Sequence, residues 1–359
     1  MQELHMRKTY RILPVYTGDV SGAASALYEF GGMTVIHDPS GCNSTYNTHD
    51  ETRWFDKESL IYISGLNDID AITGNDDKFI SDICAAAERM KPRFIALANS
   101  PLPYLNGTDF KGICRVLEEK TGLPCFYINT NAMHDYSKGQ SEAFLSFAKK
   151  MLRDPERKVK NGVNIIGMTP LDLTSTEIHL SDGYELVSNW GLNTSYENAV
   201  RATEAELNIA VSSSGIAACK YMQEKYGIPY VKGLPWDGRP CDYTETVREK
   251  TRNYIVGEPV ISGSVAAYIK TKYGIDYNVI AATEITDGLL SGCDRKCHGE
   301  EELEEALKDA ENIIADPMVR LISPANADFI ELPHFALSGR LYLKKIPDLM
   351  KPDLYYPGI

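Results

Sequence analysis

The chain has 359 residues, of which 43% are hydrophobic and 24% charged, so it can build a sizeable core and is not a disordered chain. With 37 basic and 50 acidic residues the net charge is −13, which argues against nucleic acid or an anionic membrane surface as partner, since both are bound through clustered Lys and Arg. No run approaches the ~18 apolar residues of a membrane span, and the first sixteen residues lack the apolar core of a secretory signal, so a cytoplasmic location is expected.

Short apolar, β-rich runs recur at 34–37, 61–64, 94–98, 125–129, 163–168, 207–212, 277–282 and 312–315, and further strands are expected from VNIIGM, YVKGL and NYIVGEPV. Between them lie amphipathic stretches at 78–90 and 300–313, and a helix at 141–152. This alternation predicts parallel sheets built from βαβ units. A Lys-x-Gly device ends a helix ahead of a strand three times, at Lys120-Thr121-Gly122, Lys225-Tyr226-Gly227 and Lys272-Tyr273-Gly274. The expected class is α/β with three Rossmann-like doubly wound domains: 1–160, 161–253 and 254–327, followed by a segment 328–359 packing back on the first.

No GxGxxG opens a helix and no GxxxxGK[ST] occurs, so any ATP used by the system binds another protein. Ser212-Ser213-Ser214-Gly215 follows a strand and opens a helix; its amides suit either an anion or an ordinary helix cap. In GMTVIHDPSGC a strand runs into a Pro-Ser-Gly turn and Cys42, at a strand's carboxyl end, where open α/β sheets bind ligands. The amides around Ser40 and Gly41 favour a thiolate or an anionic cluster; alternatively Cys42 is a loop cysteine without a role. His49 follows nearby. Cys293 and Cys297 form the only close pair; their spacing suits neither a zinc knuckle nor a haem motif, so a surface loop with two thiols competes with a metal role. Cys84, Cys114, Cys125 and Cys219 read as core. His334 follows an apolar strand and is either a satisfied rim residue or a proton donor facing a cavity.

GMTVIHDPSGC resembles the strand-turn-cysteine segment of the nitrogenase component 1 family. The likeness continues in order through DIDAITGNDDKFISDI, FIALANSPLPYLNGTDFKGI, CFYINTNAMHDYSKGQSEAF and LNIAVSSSGIAACKYMQEKYGIPYVKGLPWDG. The resemblance implies three Rossmann-like domains around a cavity, and an iron–sulfur cluster held through Cys42 at a subunit interface. Departures from the pattern are clear. Gly18 stands where a second cluster cysteine is common, before Gly22-Ala23, and Pro101 where a third lies. The family's cofactor cysteine would fall near Val211 or Ser212, and its histidine near Pro333, with His334 beside it.

What the resemblance implies is therefore an oxidoreductase subunit that does not reduce dinitrogen on the usual cofactor. It would share a cluster, of the [4Fe–4S] kind, with an identical or a cysteine-complete related subunit, because such a cluster generally takes four protein ligands. Electrons would come from a separate ATP-binding iron–sulfur reductase and pass to a small molecule, with His49 and His334 as candidate proton donors. The alternative is a non-catalytic scaffold or carrier of a metal cluster, or a cofactor-free binding protein of the same fold.

Overall fold

The computed structural model describes residues 10–39, 51–174, 178–181, 183–236 and 238–350. Among them the chain forms three wholly parallel sheets. The first unit runs α1 (Asp19–Leu27), β1 (Met33–His37), β2 (Leu60–Ile63), α2 (Asp68–Thr73), α3 (Asp76–Met90), β3 (Ile95–Asn99), α4 (Pro101–Asn106), α5 (Phe110–Thr121), β4 (Cys125–Ile128) and α6 (Tyr136–Met151), with strand order β2-β1-β3-β4. Successive strand residues point to opposite faces. Ala96, Phe126 and Ile128 pack with Phe30, Phe144 and Phe147 of the α1/α6 side, while Ile95, Leu97 and Cys125 pack with Phe79, Ile83, Ile113 and Leu117 of α3 and α5. α1 and α6 touch backbone to backbone. A Cβ added at Gly22 would lie 2.2 Å from the Tyr136 carbonyl oxygen, and one at Gly139 would lie 1.8 Å from that of Asp19.

The second sheet comprises β5 (Gly162–Ile166), β6 (Glu185–Trp190), β7 (Leu207–Ala210) and β8 (Tyr230–Lys232), in order β6-β5-β7-β8, with α7 (Tyr196–Val200) and α8 (Ile216–Tyr226). The third comprises β9 (Asn253–Gly257), β10 (Asn278–Ala281), β11 (Arg295–Lys296), β12 (Asn312–Ala315) and β13 (Asp328–Glu331), in order β11-β10-β9-β12-β13, with α9 (Pro259–Tyr273), α10 (Glu300–Leu307) and α11 (Phe335–Ser338). Gly122, Gly227 and Gly274 each close a helix in the left-handed conformation, at φ of 70°, 68° and 73°, as the Lys-x-Gly device predicts.

Three differences from the sequence reading stand out. The helix expected over 300–313 stops at Leu307, because Ile313 to Ala315 are drawn into the sheet beside β9. Residues 328–331, expected to begin a separate segment, form the fifth strand of the third sheet. The chain beyond them reaches the other units: Phe335 and Ala336 pack with Tyr136 and Leu171, and Ala336 N–H donates to the Leu171 carbonyl at 3.0 Å. The stretch at Cys293–Cys297 is not simply a surface loop: β11 pairs with β10, and Cys297 lies in the third core.

Candidate functional site at the junction of the three sheets

In a doubly wound sheet ligands bind beyond the carboxyl ends of the strands, where the winding reverses. Here that point falls between β5 and β7 in the second sheet and between β9 and β12 in the third. The segments leaving those four strands converge. Asp172 comes after β5, the serine turn after β7, Glu258 after β9 and Asp316 after β12. The first unit adds Tyr136, at the start of α6, and His334 follows β13.

Asp172, Tyr136 and His334 form a closed triangle. Tyr136 Oη donates to Asp172 Oδ1 at 2.5 Å, and His334 Nε2 lies 3.1 Å from both atoms. Tyr16 packs its ring on both aromatic partners, 6.1 Å from the Tyr136 ring and 5.5 Å from that of His334. His334 N–H donates to Asp316 Oδ2 at 2.7 Å, which fixes the backbone that carries the ring. Burial alone would lower the basicity of His334. The hydrogen bond and charge of Asp172, with Asp316 and Glu258 behind it, reverse that and hold its pKa above the ordinary value. Burial and the charges of Asp172 and Glu258 push the Tyr136 phenol far up, so it stays a proton donor.

Glu258 is buried and caps α9, accepting from Ile261 N–H at 2.8 Å and from Ser213 N–H at 2.7 Å. Burial, then repulsion from Asp172, raise its pKa to about 7. The Ser213 amide is therefore already taken by a carboxyl group of the protein itself. Ser212 is equally committed: its hydroxyl donates to the Gly167 carbonyl and meets Ser214 Oγ, both at 2.7 Å. The expectation of a free anion cradle at Ser212 is corrected by this packing.

The other expected residues lie apart. Ser40, Gly41, Cys42 and His49 fall outside the described residues. The strand leading to them ends at His37, on a cleft of about 500 Å³ lined also by Asp70, Asp76, Leu102 and Asp109. His37 stacks on Phe79 at 4.0 Å and bonds Ser64 through Nδ1 at 2.8 Å; burial lowers its pKa to about 4, so the ring is neutral near pH 7. Among the described residues that line this cleft there is no cysteine. Cys293 Sγ donates to the Arg248 carbonyl at 3.3 Å. Among the described residues no group of three or more His, Cys, Asp or Glu side chains is arranged to hold a metal ion. Asp172, Glu258 and Tyr136 are not legible in the sequence as site residues. A repeated strand-acid-proline signature, IVGEP and IIADP, marks two of the acids, Glu258 and Asp316.

Comparison with known proteins decides the family. The model of the nitrogenase component 1 type oxidoreductases matches residues 19–249, well over half of the chain. The chain belongs to that family. Its relatives within the family include nitrogenase iron-molybdenum cofactor biosynthesis protein NifE of Clostridium pasteurianum, 25% identical over 55% of this chain and 45% of that one. NifE of Rhodobacter capsulatus is 26% identical over 59% and 47%. The chain thus spans about half the length of the curated relatives it matches. In fold it is similar to a solved nitrogenase Cp1 (TM-score 0.57, 13% identity, 84% of this chain and 73% of that one). The three Rossmann-like units agree with this component 1 fold, and no helix among the described residues is long and apolar enough to cross a membrane.

The component 1 resemblance also implies a cofactor between the units. The residues present do not fit it. Where the resemblance implies a thiolate, near Val211 or Ser212, the chain offers an apolar side chain and a hydroxyl that is already bonded, and the histidine beside the implied position is tied to Asp172 and Tyr136. Hydroxyls and carboxylates are hard ligands, poorly matched to an iron–sulfur core that soft thiolates hold.

Proposed function

We propose that this chain is a component-1-type subunit that builds or carries a metal cluster at a subunit interface. The observation that supports this reading is the serine turn, near which the resemblance implies a ligating thiol at Val211 or Ser212: the Ser212 hydroxyl is bonded to the Gly167 carbonyl and Ser214, and Glu258 occupies the amide of Ser213. The naming of its relatives as cofactor biosynthesis proteins supports it. In this reading Cys42 ligates an iron–sulfur cluster of the [4Fe–4S] kind, Ser40 and Gly41 supply backbone amides, and a related subunit supplies the missing ligands. The protein itself buries and orients the cluster and sets the polarity around it.

A second reading keeps the chain as a reductase subunit, fed by a separate ATP-binding iron–sulfur reductase and acting on a small molecule. The raised basicity of His334, a proton source beside the junction, favours it. One experiment separates the two. The chain is purified without oxygen after co-production with its operon neighbours, and iron, sulfide and the EPR spectrum are measured for wild type and Cys42→Ala. Wild type should contain iron and sulfide, and Cys42→Ala should lose most of both. Transfer of the iron to an acceptor protein supports the scaffold. Reductant-dependent turnover supports the reductase, and iron-poor wild type refutes both.

A further inference from the structure

The first sheet has a switch point of its own. Its order β2-β1-β3-β4 reverses the winding between β1 and β3, and the cleft of about 500 Å³ opens at the carboxyl end of β1. Asp70 of α2, Asp76 at the start of α3 and Asp109, which caps α5, all line it. Among the described residues no lysine or arginine lines the cleft, and none forms an ion pair with these three acids; Lys78 on α3 is paired with Asp82 at 2.6 Å. Burial and the charges of Asp109 and Asp77 raise the pKa of Asp76, the response of a carboxylate short of positive charge.

His37 is the second mark of a ligand. It is 5% exposed, and its ring is fixed on three sides: Phe79 stacks on it at 4.0 Å, Phe110 meets it edge-on at 5.9 Å, and Nδ1 bonds Ser64 Oγ at 2.8 Å. None of those three partners lines the cleft. The ring edge left to face it carries Nε2, which has no hydrogen-bond partner among the described residues. Ser64 Oγ donates onward to the Asp38 carbonyl at 3.4 Å, an arrangement that puts the ring proton on Nδ1 and leaves Nε2 a lone pair. The cleft thus presents acceptors only at its charged and ring-nitrogen positions, and Leu66 and Leu102 add apolar wall.

We propose that this cleft binds a free aliphatic diamine or polyamine, its ammonium groups on Asp70, Asp76, Asp109 and His37 Nε2 and its methylenes along Leu66 and Leu102. An ammonium is a donor without acceptors, and a chain charged at both ends meets acids that stand on separate helices. A metal ion suits the cleft less, because no three described His, Cys, Asp or Glu side chains are arranged around one point. This inference does not rest on a cluster at Cys42.

The test is calorimetric titration of the full chain with spermidine at neutral pH, with butylamine as the singly charged control. Physiological salt screens the general attraction of a chain of net charge −13 for any polycation. The expected result is saturable one-to-one binding, about tenfold tighter than butylamine and weakened about tenfold by Asp76→Asn. Asp328→Asn, which takes one charge from the exposed start of β13, should leave the affinity unchanged. No saturation, equal binding of butylamine, or equal losses in the two variants each overturn the proposal. Should Asp76→Asn not fold, Asp109→Asn, which keeps a capping side chain on α5, serves in its place. Crystals of wild type grown with spermidine give an independent measurement: extended density along the cleft at His37 supports the site, and an empty cleft refutes it.

Discussion

Arg53 and Asp172 are both buried where units meet, yet Arg53 is met on each nitrogen and Asp172 on one oxygen only. Arg53 donates to Glu51 through Nε at 2.9 Å, to Glu29 and the Gly191 carbonyl through one terminal nitrogen, and to Ser25 and Glu51 through the other. Its guanidinium also lies over the Tyr28 ring at 4.4 Å. A buried charge with every hydrogen bond made is architecture: it joins the first unit to Gly191 of the second. Asp172 has half its capacity used and only the histidine as counter-ion, so its surroundings can change their charge where those of Arg53 cannot. Burial alone does not tell a structural ion pair from a responsive one; the count of unmet atoms does.

The sharpest way to break this contrast is substitution. Arg53→Ala strands Glu51, while Glu29 keeps Lys57 at 2.6 Å, and should cost about 3–5 kcal/mol in denaturant unfolding. Asp172→Asn at pH 8 removes an under-compensated charge and should cost no more than about 1 kcal/mol. Equal losses would erase the distinction.

A pH series sharpens it next. Glu258 is raised to about 7, so its contribution is fully present below its unfolded value near 4.5 and is lost as pH rises through 7. His334 is also raised, so its contribution is present below its unfolded value near 6.5 and is lost as pH rises through the higher folded value. Both act in one direction. Stability should fall by roughly 2–3 kcal/mol between pH 5 and 8, and Glu258→Gln should remove most of the slope. A flat wild-type profile would contradict the assignment. Smaller still, Tyr136→Phe takes one donor from Asp172 and should cost about 1.5–2 kcal/mol at pH 8, read as a shift in the unfolding midpoint at constant m-value.

Most of the scaffold is legible in the sequence because its strands are continuous apolar runs, as buried parallel strands must be. β6 is not, because Ser188 and Asn189 sit inside it, both buried; the amide of Asn189 is answered by Asn198 at 3.0 Å and its side chain by the Leu192 carbonyl. The apolar spacing at 300–313 predicts too long a helix because it runs on into a strand. At the site, His334 is visible as a lone histidine after a strand. Its partners are not, since Asp172 stands 162 residues away and only the winding of three sheets brings it near. The serine turn can be found by its composition, whereas Glu258, 45 residues on and marked only by its strand-acid-proline setting, shows no link to that turn in the sequence.

The start of the described chain carries a mechanical consequence. Glu300 Oε2 accepts from three successive amides, of Arg11, Ile12 and Leu13, at 3.0, 2.7 and 2.8 Å, which pins this stretch to the N-terminus of α10. Soon after Leu13, at Asp19, α1 begins in the first unit. A fully extended span of that length reaches about 20 Å. The first unit is thus on a short leash to the third, and any hinge that widened their common seam would draw the leash taut.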